Sequence, residues 1–183
     1  MSRFLHDARD ENSRDEWYTP PGPFEALGIE FDLDPAAPPG GVPWIPAAEH
    51  LSKAHDGLTR EWVGRVWLNP PYGRQTGKWL RRLASHGDGL ALVFARTDTA
   101  WFQEASHTAT AICFIAGRIR FVGADGCQAR ASAGAGSLLI AFGLPCALAR
   151  VESGLGQTFP VPRQGRPTPQ LGCPSANSSA ARL

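Results

Sequence analysis

Five short apolar runs punctuate the chain: 28–34 (GIEFDLD), 65–69 (RVWLN), 90–95 (LALVFA), 111–116 (AICFIA) and 137–143 (SLLIAFG). Each is too short for a buried helix, and the runs are apolar on both faces, the pattern of strands covered by helices on both sides. Between them the periodicity changes. Over 76–85 (TGKWLRRLAS), Trp79, Leu80 and Leu83 fall on one helical face with Lys78, Arg81 and Arg82 off it. A second short helix fits 98–106, with Trp101 and Phe102 turned inward. Strands alternating with helices at this spacing predict an α/β fold around a twisted, mostly parallel sheet. In such sheets ligands gather beyond the carboxyl ends of the strands, so the residues following each run are the ones to inspect.

The pattern divides the chain into a polar, charged arm over residues 1–14, one domain over 15–150, and a tail over 151–183. The tail is rich in Pro, Gly and Ser, a composition that predicts disorder because it buries little apolar surface. The 183 residues suit one domain, and 43% hydrophobic residues are enough for a single core. No run of 18 apolar residues exists, and the first residues carry charges where a secretory signal needs its apolar segment, so the expected location is the cytoplasm, with no membrane span. The four cysteines, Cys113, Cys127, Cys146 and Cys173, form no CxxC pair and stand near no histidine at ligand spacing. They read as reduced thiols, and no metal is expected.

The net charge of +1 conceals a division. Residues 1–60 carry 11 acids and 5 bases, whereas 61–150 carry 5 acids and 10 bases. Of the 18 basic residues 16 are Arg, which suits phosphate recognition and permits a nucleic-acid face. The segment 73–78 (GRQTGK) has the look of a phosphate-binding loop. However, its glycines are separated by three residues instead of four, and Trp79 stands where a Mg-binding hydroxyl belongs.

The most informative segment follows the second run: Asn69-Pro70-Pro71-Tyr72. Two prolines end the strand and hold the backbone stiff and extended. An amide oxygen, a fixed carbonyl and an aromatic ring together suit the holding of a planar amino group. Asn69 and the Pro70 carbonyl can accept its two N–H hydrogens while Tyr72 stacks on the ring that bears them.

NPPY is the signature of amino-group methyltransferases that use S-adenosylmethionine. Further segments accompany it in order: DEWYTP (15–20), FDLDPAA (31–37), DGL (56–58), ARTDTAWF (95–102) and GRIRF (117–121). With these motifs the chain resembles the small phage-type DNA N-6-adenine methyltransferase family over residues 15–145. The resemblance implies a Rossmann-like methyltransferase fold, here abridged, and DNA as partner. It implies that Asn69, Pro70, Pro71 and Tyr72 form the catalytic pocket. It also implies that Thr19 and Pro20 contact the methionine carboxylate of the cofactor, that Asp34 or its neighbour Asp32 meets the methionine amino group, and that Asp56 accepts a hydrogen bond from the cofactor adenine.

The chain departs from the family pattern after the first strand, where a Gly-rich turn is replaced by Ala36-Ala37-Pro38-Pro39-Gly40-Gly41. Only about 30 residues separate this strand from the next apolar run, leaving little room for two further strands, and no acidic residue stands out as the ribose ligand. No separate target-recognition domain is expected from the low-structure tail.

An adenine in a duplex has its N6 paired, so the expected substrate is a flipped base held in the NPPY pocket. Arg74, Lys78, Arg96, Arg118 and Arg120 follow strand ends and are candidates for the flanking phosphates. A monomer or weak homodimer is expected. Two other readings use the same residues: a methyltransferase acting on RNA adenine or a protein glutamine amide, which also present a planar –NH2, and a non-catalytic relic that binds nucleic acid or cofactor.

Overall fold

A computed structural model describes residues 18–123 and 134–162. The expected N-terminal arm, Cys127, Cys173 and the last part of the tail lie outside the described residues. Seven strands form one sheet: β1 (Phe31–Asp34), β2 (Ala47–His50), β3 (Val66–Leu68), β4 (Gly89–Phe94), β5 (Ala111–Ile115), β6 (Ser137–Phe142) and β7 (Gly156–Pro160). Their spatial order is β2-β1-β3-β4-β6-β5-β7.

The ladders β2·β1, β1·β3 and β3·β4 are parallel, and β4·β6, β6·β5 and β5·β7 are antiparallel. Directions follow from these pairings: β1 to β5 all point one way, and only β6 and β7 oppose them. The expected mostly parallel sheet therefore holds for strand direction, with the reversals confined to one half. β6 lies beside β5 in the opposite direction, a pairing that requires no crossover helix.

Helices cover both faces, as the doubly apolar runs require. On one side α2 (Thr76–His86) and α3 (Ala100–Thr108) pack Trp79, Leu80, Leu83 and Phe102 on Leu33, Val66, Leu68, Val93, Leu138 and Ile140. On the other, α1 (Pro21–Leu27) and α4 (Leu144–Glu152) pack Phe24, Leu27 and Cys146 on Phe31, Trp67, Leu90, Leu92, Cys113 and Leu139. Alternate residues of β3 face opposite ways, so all three of its side chains are fully buried. Burying one such Leu or Val is worth about 1.5–3 kcal/mol.

The structure corrects the expected disorder of residues 151–162. Helix α4 extends to Glu152, and β7 pairs with β5 from Ile115↔Gly156 to Ala111↔Pro160. The polar composition misleads here because an edge strand takes its order from backbone hydrogen bonds to its neighbour and needs few apolar contacts. Phe159 supplies one of them, edge-on to Phe114 with ring centroids 5.8 Å apart. Between β1 and β3 the chain fits one strand, β2, and a single 3-10 turn at Lys53–His55.

Candidate active site

Because β1 to β5 share a direction, their carboxyl ends line one edge of the sheet. Asp34, His50, Asn69 and Phe94 stand at or just beyond four of these ends. At β3 the strand passes from fully buried Leu68 into partly buried Asn69 and buried Pro70, and then out to exposed Pro71 and Tyr72. Gly73 makes the turn with φ 112°, a conformation that side chains disfavour. The Thr76 hydroxyl donates to the Pro71 carbonyl at 3.0 Å, tying the proline segment to the first residue of α2.

The tyrosine is held from two directions. Its hydroxyl donates to Asn69 Oδ1 at 3.2 Å, and its ring stacks on Phe94 with centroids 4.2 Å apart and planes 16° from parallel. Phe94 in turn meets buried Phe121 edge-on at 6.2 Å. Tyr72 as a whole remains 46% exposed. Desolvation around the phenol pushes its pKa above the ordinary value, so it stays a hydrogen-bond donor throughout the useful pH range. An amide oxygen has two lone pairs, and the Tyr72 bond leaves Asn69 Oδ1 capacity for a second donor.

The expected cofactor residues fall into different environments. Asp34, at the end of β1, is 3% exposed. Its Oδ1 accepts the Ala36 N–H at 3.2 Å, and its Oδ2 lies 3.6 Å from His50 Nδ1 on the neighbouring strand. Burial raises the Asp34 pKa against the opposing influence of His50 and the Ala36 N–H, while the Asp34 carboxylate raises that of His50. The His50 ring covers Gly41, whose added Cβ would come within 2.9 Å of His50 Cγ, so a side chain at position 41 would displace His50.

Asp32 is exposed and lies nearer the start of β1, where its Oδ2 accepts the Arg65 N–H at 2.6 Å and clasps β1 to the chain entering β3. Asp56 is exposed with φ 47°, closing the 3-10 turn. Its neighbour Gly57 is buried directly against the Pro35 carbonyl, which brings Asp56 beside the segment that follows Asp34.

Thr19 is completely buried, and its Oγ1 has no hydrogen-bond partner. Its carbonyl accepts the Trp44 indole N–H at 2.8 Å, and the preceding Tyr18 exchanges two backbone hydrogen bonds with Val122, one residue beyond Phe121. Pro20 caps the start of α1.

Arg74 and Lys78 lie beyond β3, Arg96 beyond β4, and Arg118 and Arg120 beyond β5. All five are exposed and follow strand ends on the same edge. Arg81 and Arg82 are engaged elsewhere. Arg81 pairs with Glu104 of α3 at 2.8 Å, and Arg82 donates to the Arg60 carbonyl with its guanidinium 4.9 Å over the Trp62 ring.

Two residues at this edge escape a reading of motifs alone: His50, because β2 carries almost no apolar signal, and Phe94, which reads as the last core residue of β4. The register of a short apolar run ending at an exposed edge is the one signal that could have singled out Phe94. Among the described residues no group of His, Cys, Asp and Glu could hold a metal ion, and no helix is long and apolar enough to cross a membrane.

No curated protein and no solved structure matches the chain. A family model described as DNA N-6-adenine-methyltransferase (Dam) matches residues 7–145, a span that takes in β1 to β6 and the Asn-Pro-Pro-Tyr segment. With this match over most of its length and the sheet edge just described, the chain belongs to the DNA N-6-adenine-methyltransferase family.

Proposed function

We propose that the protein transfers a methyl group from S-adenosylmethionine to the N6 amino group of an adenine flipped out of DNA into the pocket formed by Asn69, Pro70, Pro71 and Tyr72. The carrying observation is the Tyr72–Asn69 hydrogen bond of 3.2 Å, which fixes an aromatic face and an amide acceptor relative to each other at a strand end. In this reading Asn69 Oδ1 and the Pro70 carbonyl accept the two N6 hydrogens. Accepting both pulls the amine out of conjugation with the purine and restores its lone pair as a nucleophile. Tyr72 stacks on the base and fixes the direction of that lone pair. Most of the rate acceleration then comes from alignment of the two reactants.

The residues fit the cofactor. A methionine moiety carries a carboxylate and an ammonium, and the chain offers a buried hydroxyl without a partner at Thr19 and a buried, poorly compensated carboxylate at Asp34. An ammonium beside Asp34 would offset the desolvation that raises its pKa. Thr19 and Pro20 would hold the carboxylate end, Asp34 the amino group, and Asp56 the adenine. Of the two carboxylates on β1, Asp34 is favoured, because Asp32 is occupied with the Arg65 N–H. When bound, S-adenosylmethionine supplies an electrophilic methyl group on a sulfonium sulfur. Arg74, Lys78, Arg96, Arg118 and Arg120 would carry the phosphates around the flipped nucleotide.

The test is a transfer assay with labelled methyl donor and three acceptors: DNA, RNA of the same sequence, and a glutamine-bearing protein. Label in DNA that disappears with Asn69→Ala supports the reading. Label in RNA or protein instead overturns the choice of acceptor, and cofactor binding without transfer to any of them overturns catalysis.

A further inference from the structure

The geometry points to Phe94 as a positioning residue for the target base: it covers one face of Tyr72, so a flipped adenine can stack only on the other. This inference rests on the proposed adenine pocket. The two rings lie 4.2 Å apart and within 16° of parallel, leaving no space for a base between them. Tyr72 is nevertheless 46% exposed, so its free surface is the face turned away from Phe94.

Phe94 is itself fixed. It is the last residue of β4, next to β3 in the sheet, and pairs with Ser137 of β6. Its ring leans on Phe121, which is buried and 84° from its plane. Val122, the next residue, exchanges two backbone hydrogen bonds with Tyr18, beside Thr19. A continuous set of contacts thus runs from the Thr19 segment through Phe121 and Phe94 to Tyr72 and Asn69. Two supports, the hydroxyl bond to Asn69 and the stack on Phe94, define both the tilt and the height of the tyrosine ring. An exposed tyrosine with the hydrogen bond alone could pivot about it, and the base would then meet a face with no fixed relation to the Asn69 acceptor.

Phe94→Leu keeps an apolar side chain but removes the flat support. Loss of an aromatic pair predicts a fall of about threefold to tenfold in kcat/KM for DNA, with KM for S-adenosylmethionine unchanged. Phe94→Tyr retains the ring and restores the rate. The decisive measurement is a double-mutant cycle with Tyr72→Ala. If Phe94 acts through Tyr72, Phe94→Leu changes little in the Tyr72→Ala background. Additive losses overturn the inference, because Phe94 would then touch the base itself or act elsewhere. An unchanged kcat/KM in Phe94→Leu also overturns it.

Fluorescence of 2-aminopurine at the target position, measured with cofactor bound, reports base stacking independently of turnover. It should rise in Phe94→Leu as the base loosens, and no change counts against the role. Should Phe94→Leu fail to fold by circular dichroism, Phe94→Met carries the same cycle. Wild-type protein that leaves DNA unmethylated refutes the adenine pocket, whereas active wild type with a Phe94-insensitive rate refutes only the platform.

Discussion

Replacing Asp34 by Asn separates stability from cofactor binding at a single atom. The wild-type carboxylate is 3% exposed, accepts one N–H from Ala36 at 3.2 Å and, among the described residues, has the long 3.6 Å contact with His50 as its charge partner. Both groups have folded-state pKa values above their ordinary values of 3.8 and 6.5. The folded chain therefore binds more protons than the unfolded chain. The stability this contributes is full at acidic pH, begins to decline above pH 3.8 for Asp34, and is lost from pH 6.5 upward as His50 titrates through its raised value. One proton of difference corresponds to a slope of about 1.4 kcal/mol per pH unit at most.

An amide at position 34 keeps the acceptor for Ala36 and removes the buried charge, and His50 is free to be neutral. Asp34→Asn should therefore be neutral or stabilising by about 1–2 kcal/mol at pH 8 and should flatten the decline above pH 6.5. Affinity for S-adenosylmethionine should nonetheless fall at least about tenfold, since one charge-assisted hydrogen bond contributes about 1.5–3 kcal/mol. Thermal melts across the pH range and calorimetric titration of the cofactor measure the two halves. A loss of more than about 3 kcal/mol at pH 8 with the pH slope intact would refute the reasoning, since it would make the carboxylate a net stabiliser of the fold. Unchanged affinity would remove Asp34 from the cofactor site.

Other perturbations follow from the same geometry. Tyr72→Phe loses the 3.2 Å bond to Asn69 and keeps the stack, so kcat should fall about twofold to tenfold in single-turnover assays with cofactor affinity unchanged. Gly57→Ala would drive a Cβ into the Pro35 carbonyl and within 3.0 Å of Trp79, which should cost about 1–3 kcal/mol in denaturant unfolding and weaken cofactor binding by displacing Asp56. Arg74→Ala and Arg96→Ala should each reduce the slope of log K for DNA against log salt by about 0.9 in anisotropy titrations, whereas Arg81→Ala, whose guanidinium is paired with Glu104, should leave it unchanged.

Five strands were legible in the sequence, β3, β4 and β6 most directly, because their residues are buried on both faces and leave uninterrupted apolar runs, whereas β1 and β5 each bury most of their residues. β2 and β7 were not. β2, with the sequence AAEH, has no fully buried residue, and β7 has none either. Both are edge strands specified by backbone pairing with a neighbour, which leaves no local hydrophobic signature. Helix α1 was missed because PGPFEAL carries two prolines and a glycine. Both prolines fall in its first turn, where a missing N–H costs nothing, and Gly28 closes it at φ 60°.

Among the candidate site residues, the Asn-Pro-Pro-Tyr segment was legible because proline dictates the backbone on which the side chains stand. Asp32 and Asp34 were equivalent as letters. Position in the strand separates them: one lies beside the Arg65 N–H at the entrance to β3, the other is buried at the carboxyl end. Phe94 and His50 acquire their neighbours from distant parts of the chain, and no local pattern encodes that.

Mass spectrometry of nucleosides tests the central claim most directly. DNA free of N6-methyladenine is incubated with the protein and S-adenosylmethionine carrying a heavy methyl group, then digested. Heavy N6-methyladenine should accumulate with wild type and fall at least about a hundredfold with Asn69→Ala, whose cofactor affinity should be unaltered. Heavy label on another base, or equal yields from wild type and Asn69→Ala, would contradict the account.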